Sequence, residues 1–295
     1  MRVSNNSITA RLLQQVQESR ASLAKVQEQT GSGQKVNRPS DDPAATGRIM
    51  TMHTELDLNE QYARNSNTAL ADLTVSEASL SNLADVVQRA RELAVQAANG
   101  ALDGSSRQQV ALEVSQLVTQ AIALGNTRSA GRYIFAGQKT DTQPFVPDSV
   151  VNPTVVTYAG DTNGVYREVS QGERVNTNVT GDRTFPGVIA DLISFRDHLR
   201  ANNATALQTD ADAMGTRLDE TLELRSEVGA KMNRVQTGIT RLEDEHTMLQ
   251  TLVSNEQDVD LAQSIVELQA KETTLQAALG AAGRALNLSL LEFLR

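Results

Sequence analysis

The sequence predicts a mainly α-helical protein with a small β insertion. We expect a long antiparallel helical bundle rod with paired N- and C-terminal coiled-coil helices and a β-rich tip domain. Apolar residues recur at alternating steps of four and three in both terminal segments, the spacing of a coiled-coil seam. Aromatic residues make up only 3% of the chain, which favours slim helices over a thick globular core. Most aromatics and prolines lie between residues 133 and 186, which marks a differently built segment.

Length, charge and composition exclude several classes of protein. The 295 residues carry a net charge of −9, and no stretch concentrates Lys and Arg between aromatic residues, so we expect no nucleic-acid partner. No run approaches the ~18 apolar residues of a membrane span, and the N-terminus lacks the features of a cleaved secretory signal. We therefore expect no membrane partner. The absence of cysteine excludes disulfides and thiolate chemistry.

The first predicted helix has one apolar seam. Its large apolar members are Leu12, Val16, Leu23 and Val26, and the remaining seam positions are Thr9, Ser19 and Thr30. Gly31 and Gly33 can end this helix in a left-handed conformation, and Pro39 prevents its continuation. Asp42 followed by Pro43 predicts an N-cap and the first residue of a second helix.

Two further helices follow as a predicted antiparallel hairpin. The second helix should run to Asn99-Gly100, because its apolar side stays in phase (Leu73, Leu80, Leu83, Val87, Ala90, Ala94, Ala97). Asn99-Gly100 and Asp103-Gly104 predict a reversal of the chain. A third helix then has its own apolar side (Val110, Val114, Leu117, Ala121, Leu124).

The aromatic-rich segment predicts short β-strands. The runs 155–158 and 165–169 are rich in Val and Tyr, and a glycine-bounded loop, 160–164, separates them. We interpret these two runs as one β-hairpin. Helical periodicity returns at Val188 and continues to Leu249.

The C-terminal segment predicts a helix built for assembly. Its seam comprises Leu261, Ile265, Leu268, Leu275, Leu279, Ala282, Leu286 and Leu290, with Glu272 as the one break. The final ten residues, with Phe293, are apolar on every side of the helix that they should form. A helix end of this kind has to be covered by another part of the chain or by another copy.

Opposite charges favour pairing of the two ends. Residues 1–40 contain six basic and two acidic side chains, and residues 256–295 contain three basic and six acidic ones. Exposed ion pairs contribute only ~0–1 kcal/mol each, so this asymmetry favours orientation more than stability. The alternative is two unrelated solvated helices.

These patterns divide the chain into five segments. We expect residues 1–45 to form an N-terminal assembly helix that pairs with a C-terminal assembly helix at 255–295. We expect residues 46–134 and 187–254 to form the two parts of a helical shaft, and residues 135–186 to form the β-rich inserted domain.

The sequence shows no catalytic or metal constellation. The stretch 31–35 follows a helix and has the wrong spacing for a phosphate-binding loop. The acidic pair 41–42 suits a helix start, while Asp258 with Asp260 and the run 243–246 fit a solvated helical face. His53, His198 and His246 are isolated from one another and lie outside any known ligand pattern. We expect no enzyme, no cofactor and no metal.

Several motifs resemble one family. The opening Met1-Arg2-Val3-Ser4 and the run SGQKVNRPSDDP at 32–43 resemble the N-terminal signature of flagellins and their relatives. LQA at 268–270 and 275–277 and the closing Ser289-Leu290-Leu291 resemble the matching C-terminal signature. Pro39, Ser40, Asp41, Asp42 and Pro43, with GRYIFAGQKTDTQPF at 131–145, resemble the branch that joins the flagellar hook to the filament. Asn37 belongs to the same motif loop.

The resemblance implies a function and a set of partners. It implies an extracellular structural protein of the bacterial flagellum, secreted by the flagellar type III route. Its implied partners are further copies of itself, hook-associated protein 1, flagellin, and an export chaperone on the C-terminal helix. Two alternatives stay open: flagellin itself, and a cytosolic coiled-coil scaffold or signalling protein.

Overall fold

The computed structural model describes the backbone of residues 2–99 and 103–293 and the side chains of residues 10–99 and 103–284. The chain forms two compact units. A terminal unit contains Met1–Leu58 and Glu245–Arg295, and a central unit contains Asn59–Asp244. The described part is mainly helical with short antiparallel strand pairs, as the sequence predicts.

Six α-helices account for most of the described residues. They are α1 (Arg2–Ser32), α2 (Pro43–Ala98), α3 (Gly104–Gly125), α4 (Phe185–Arg200), α5 (Ala204–Gln257) and α6 (Leu261–Phe293). The predicted start of the second helix is confirmed, because Pro43 is its first residue and Asp42 Oδ1 accepts a hydrogen bond from the Ala45 N–H at 2.9 Å. Asp103 likewise caps α3 through the Ser106 N–H at 2.8 Å. Gly33, with φ of 73°, follows the last residue of α1.

Four helices surround the core of the central unit, and polar contacts give their order. Arg89 of α2 contacts Glu113 of α3 at 2.8 Å, and Gln108 of α3 donates to the Arg200 carbonyl of α4 at 3.3 Å. Arg217 of α5 contacts Asp191 of α4 at 2.7 Å. Arg225 of α5 contacts Glu77 of α2 at 2.7 Å. The neighbours therefore run α2, α3, α4, α5 and back to α2.

The predicted apolar sides of α2 and α3 meet in this core. Residues on these two sides are almost entirely buried (Leu73, Leu80, Leu83, Val87, Ala90, Ala94, Ala97, Val114, Ala121). They form one hydrophobic cluster with α4 and α5, through residues such as Val188, Leu192 and Val228. The cluster also takes in Val169 and Val175 from the strands. The helices and the strands of this unit therefore share one core.

The strands pair differently from the prediction. They are β1 (Arg128–Ser129), β2 (Arg132–Tyr133), β3 (Phe145–Pro147), β4 (Val156–Tyr158), β5 (Tyr166–Ser170) and β6 (Glu173–Asn176). The predicted hairpin between 155–158 and 165–169 is wrong, because β4 pairs with β3 and β5 pairs with β6, all antiparallel. The loop at 160–164 does not close a hairpin. Its Asp161 Oδ1 accepts hydrogen bonds from the N–H groups of Gln138 and Asn163, both at 2.9 Å.

An aromatic cluster joins the strands to the helices. Phe185, at the start of α4, lies 4.7 Å from Phe135 and 5.3 Å from Phe145, measured between ring centroids. Phe145 also contacts Tyr158 across the β3–β4 pair at 5.3 Å. Gly125, the last residue of α3, leaves the space that the Phe145 ring occupies, since a Cβ at this position would lie 2.5 Å from that ring.

We predict opposite effects for two glycine-to-alanine changes in helices. Gly125→Ala should destabilise the protein by about 1–3 kcal/mol, because the methyl group overpacks against Phe145. Gly229→Ala, in the interior of α5, should stabilise it by up to ~1 kcal/mol, because nothing lies within 4 Å of the new atom and alanine favours the helix. Thermal melting of both variants tests this. Equal shifts would contradict the proposed packing of Phe145.

Candidate assembly interface

The candidate interface lies on the helix pair α1–α6 of the terminal unit. α1 packs along α6. The hydroxyl groups of Thr30, near the end of α1, and Ser264, near the start of α6, share a hydrogen bond of 2.5 Å. The end of one helix therefore lies beside the start of the other, and the pair is antiparallel.

The predicted seam of α1 is the side that the structure buries. Val16 and Val26 are buried, and Leu12, Ser19, Leu23 and Thr30 are half-buried. These six positions follow the predicted steps of four and three. Thr9 lies outside the described side chains.

The seam of α6 agrees with the prediction at Leu268, Leu275 and Ala282 and differs from it at the other positions. Its buried and half-buried positions are Ser264, Leu268, Lys271, Leu275, Ala278 and Ala282. Leu261, Ile265 and Leu279, which the sequence places in the seam, are exposed instead. The bond between Thr30 and Ser264 shows the physical reason: a small polar side chain faces α1 where the apolar pattern alone favours Ile265.

The three exposed residues of α6 form a strip beside the seam, which we call the exposed strip (Leu261, Ile265, Leu279). At 3.6 residues per turn they fall within ~40° of one another around the helix axis. Each has between 43% and 52% of its surface exposed. Leu286, Leu290 and Phe293 lie outside the described side chains. One chain therefore leaves these three apolar side chains uncovered, and the exposed Glu272 interrupts the strip between Ile265 and Leu279.

A short backbone bridge ties the two connecting segments of this unit together. Gln34 and Asp258 form an isolated antiparallel β-bridge. The Lys35 N–H donates to the Gln257 carbonyl at 2.7 Å, and the Val259 N–H donates to the Gly33 carbonyl at 2.9 Å. The ends of α1 and α5 are therefore joined by backbone hydrogen bonds.

The family motif loop supplies further local contacts. The Asn37 amide donates to the Gln34 carbonyl at 3.3 Å. Asp41 accepts from the Arg38 N–H at 3.0 Å and contacts Lys25 Nζ at 3.2 Å. Pro39 and Ser40 are exposed. The polar residues of the motif thus fix the turn between α1 and α2.

Two aspartates have roles that the sequence reasoning missed. Asp258 and Asp260 were expected on a solvated helical face, which is wrong, because they lie in the break between α5 and α6. Asp260 Oδ1 accepts from the N–H groups of Ala262 at 2.9 Å and Gln263 at 3.2 Å and so caps α6. The sequence does contain the signal for this cap, since an aspartate directly before a helical apolar pattern is a typical N-cap.

Two ion pairs near the connecting segments lower the pKa values of acidic side chains. The hydrogen bond from Arg48 lowers the pKa of Glu256, and the ion pair measures 3.0 Å. The hydrogen bond from Lys25 lowers the pKa of Asp41. Among the side chains that the structure describes, no ion pair joins α1 directly to α6, so the opposite charges of the two ends act there without close pairing.

The one histidine with an acidic partner among the described side chains contacts an aspartate between two helices. His198 of α4 contacts Asp210 of α5 at 2.9 Å, and burial raises the pKa of Asp210. Among the side chains of residues 10–99 and 103–284, no group of three or more His, Cys, Asp or Glu is placed to hold a metal ion. No described helix is both long and apolar enough to cross a membrane.

We predict that the cap of α6 contributes measurably to the order of this helix. Asp260→Ala should cost about 1 kcal/mol and speed amide exchange in the first turn of α6, because two N–H groups lose their acceptor. Asp260→Asn is the matched control and should stay close to the parent, since asparagine caps equally well. Hydrogen exchange followed by mass spectrometry measures both, and a control that exchanges like Asp260→Ala would contradict the capping role.

We also predict a pH dependence of the connecting segments. Because the folded pKa values of Glu256 and Asp41 are lowered, their ion pairs stabilise the fold above the unfolded pKa, and this contribution is lost as the pH falls through the folded pKa. An NMR titration of the carboxyl carbons should show Glu256 titrating below an ordinary glutamate. Arg48→Gln should move that midpoint upward, and an unchanged midpoint would contradict the assignment.

Comparison with known proteins finds similarity to flagellins and to hook-associated proteins. The family profile of the bacterial flagellin N-terminal helical region matches residues 3–140, and that of the C-terminal helical region matches residues 211–294. A protein of Escherichia coli (strain K12) named "Flagellar hook-associated protein 3" is 27% identical over 94% of this chain and 95% of its own length. A flagellin of Halalkalibacterium halodurans is 28% identical over 86% of this chain and 84% of its own length.

Solved structures agree with the fold. The crystal structure of Bacillus cereus FlgL covers 69% of this chain and 99% of its own, with a TM-score of 0.61 and 26% identity. A putative flagellar hook-associated protein from Vibrio parahaemolyticus covers 74% and 100%, with a TM-score of 0.67 and 18% identity, which supports the fold alone. With both terminal helical regions matched over about three quarters of its length, the chain belongs to the bacterial flagellin family.

Proposed function

We propose that this chain is a structural protein of the bacterial flagellum that polymerises as the junction between the hook, through hook-associated protein 1, and the flagellin filament. The relatives named hook-associated protein 3 support the junction role, because they match the chain over 94% of its length, against 86% for the flagellin of H. halodurans. The proposed place of action is outside the cell. We propose no enzymatic activity.

The exposed strip is the observation that carries the proposal. α1 and α6 are 31 and 33 residues long, and a helix pair of this kind draws its stability mainly from packing. Among their described side chains, the buried ones are Val16, Val26, Ser264 and Ala282. Neighbouring copies that cover Leu261, Ile265 and Leu279 would supply the missing contact.

We assign two roles to the residues of the proposed interface. Leu12, Val16, Leu23, Val26, Leu268 and Leu275 hold α1 and α6 together within one chain. Leu261, Ile265 and Leu279 contact neighbouring copies. Leu286, Leu290 and Phe293 belong to the same interface by their place in the sequence pattern. Before assembly, the same apolar helix is the surface that an export chaperone covers during secretion by the flagellar type III route.

We predict that Ile265→Asp combined with Leu279→Asp abolishes junction formation. In the single chain both positions are exposed, so the two changes should shift its stability by at most ~0.5 kcal/mol each. In the assembly, each uncompensated buried charge should cost several kcal/mol. Cells with this variant should build hooks and release unpolymerised flagellin, which electron microscopy and immunoblots of the medium can measure.

The matched control adds the same charges to the opposite flank of α6. Gln263→Asp combined with Thr274→Asp places two aspartates at exposed positions that lie ~140–160° from Leu279 around the axis. This variant should assemble. Normal filaments from cells that export the Ile265→Asp, Leu279→Asp protein would refute the proposed interface.

The junction protein and flagellin occupy different parts of the flagellum, so the location of this protein distinguishes the two proposals. Antibody labelling of the parent protein on isolated flagella should mark a short zone next to the hook if the junction proposal is correct. Labelling along the whole filament would favour flagellin instead, and absence from flagella would refute both.

A further inference from the structure

A cavity lies between α2 and the strands of the central unit. Its walls are one side of α2, the hairpin β1–β2 and the ends of the β5–β6 pair, and its volume is about 100 Å³. This exceeds the ~10–15 Å³ that a single water needs and is smaller than the ~300–1,000 Å³ of a pocket for a drug-sized ligand. The cavity therefore suits a ligand of a few atoms.

The motif at 131–145, which the proposed function does not use, forms one wall of this cavity. Its lining residues are Arg132, Tyr133, Ile134, Gly137 and Thr140. The turn between β1 and β2 has two successive residues with positive φ, Ala130 at 47° and Gly131 at 82°. Such a pair is typical of the tightest hairpin turns, so this wall has a closely defined backbone.

Arg167 of β5 is the lining residue that points to a ligand. Its side chain is only 28% exposed, and its Nε–H is buried without a hydrogen-bond partner in the protein. Asp72 of α2 lies 3.7 Å from Arg167 Nη2, which is close enough for an ion pair but too long for a hydrogen bond. Buried N–H groups nearly always have an acceptor. Arg167 therefore has donors available for a ligand that carries oxygen acceptors.

The charges that line the cavity favour an anion. Arg132 and Arg167 are two cations against the single carboxylate of Asp72, so the lining has a net charge of 2 − 1 = +1. Arg132 is exposed and makes no ion pair among the described side chains. Arg128 adds a further cation next to the lining, because its guanidinium lies 4.2 Å from the ring centroid of Tyr133. The local potential therefore attracts negative charge.

We propose that this cavity binds a small oxyanion, either a carboxylate or a phosphate, through Arg167 and Arg132. A guanidinium presents parallel N–H donors that match the paired oxygens of both groups. Ile134 and Val165 supply apolar wall, which accommodates the short carbon chain of a carboxylate. The bound oxyanion joins the β1–β2 hairpin to β5 and so stabilises the inserted strands. This site is independent of the proposed interface on the terminal helices.

NMR spectroscopy of the purified chain tests the site, because the Nε–H groups of isotope-labelled arginine give their own proton–nitrogen signals. The signal of Arg167 is identified as the one that Arg167→Lys removes. Sodium acetate and sodium phosphate are titrated separately, against sodium chloride of the same ionic strength. We expect at least one of the two oxyanions to move this signal until it saturates, and chloride to leave it in place. The tighter of the two shows whether the site favours a carboxylate or a phosphate.

Three variants connect the binding to the cavity. Arg132→Gln should weaken the binding about tenfold, because one charged donor is lost. Arg174→Gln is the matched control, since it removes an exposed arginine from β6 that does not line the cavity, and it should leave the affinity unchanged. Asp72→Asn should tighten the binding, because it removes the repelling carboxylate and keeps an oxygen for the Ser129 hydroxyl, now at 3.2 Å.

The outcomes that would overturn the inference are distinct. If neither oxyanion moves the Arg167 signal more than chloride does, the cavity holds water only. If Asp72→Asn weakens the binding, the site takes a cation instead. Equal weakening by Arg132→Gln and Arg174→Gln would assign the effect to overall charge rather than to the cavity. Thermal melting of each variant checks that it is folded, and none of these results bears on the proposed function.

Discussion

Two helices packed side by side can bury only one stripe of side chains on each, and this geometric limit separates the two units of the protein. In the central unit, four helices surround a common core, so apolar residues such as Leu83, Val114 and Val228 are almost entirely buried. In the terminal unit, α1 and α6 form a single pair, and Leu261, Ile265 and Leu279 are left exposed. The function that we propose uses this incomplete burial, because copies of the chain can complete it.

The polar motif between α1 and α2 has a structural explanation. Asp41 and Asp42 each bind a backbone N–H group, and Pro43 begins α2. In the neighbouring segment between α5 and α6, Asp260 caps α6, and the bridge between Gln34 and Asp258 joins the two connecting segments. These short contacts mark the end of α1 and the starts of α2 and α6, and the bond between Thr30 and Ser264 sets the register of α1 against α6.

The inserted strands belong to the central core, although their composition differs from that of the helices. Val169 and Val175 lie in the same hydrophobic cluster as α2 and α5, and Phe135 and Phe145 pack against Phe185 of α4. The buried Arg196 of α4 also donates to the Pro153 carbonyl of the same insertion at 2.7 Å, which ties the insertion to the helices.

The sequence by itself determined the helical regions, the start of α2 and the buried sides of α1, α2 and α3, because helical periodicity and capping residues act over a few neighbouring positions. It missed the break at 201–203 between α4 and α5 and the start of α6 after Asp260. It also located the strands at 156–158 and 166–170. Only the tertiary structure decided their partners, since short strands of similar composition can pair with several others. The same holds for α6: Leu261 and Ile265 match a seam as well as Ser264 does, and packing against α1 selects the side that is buried.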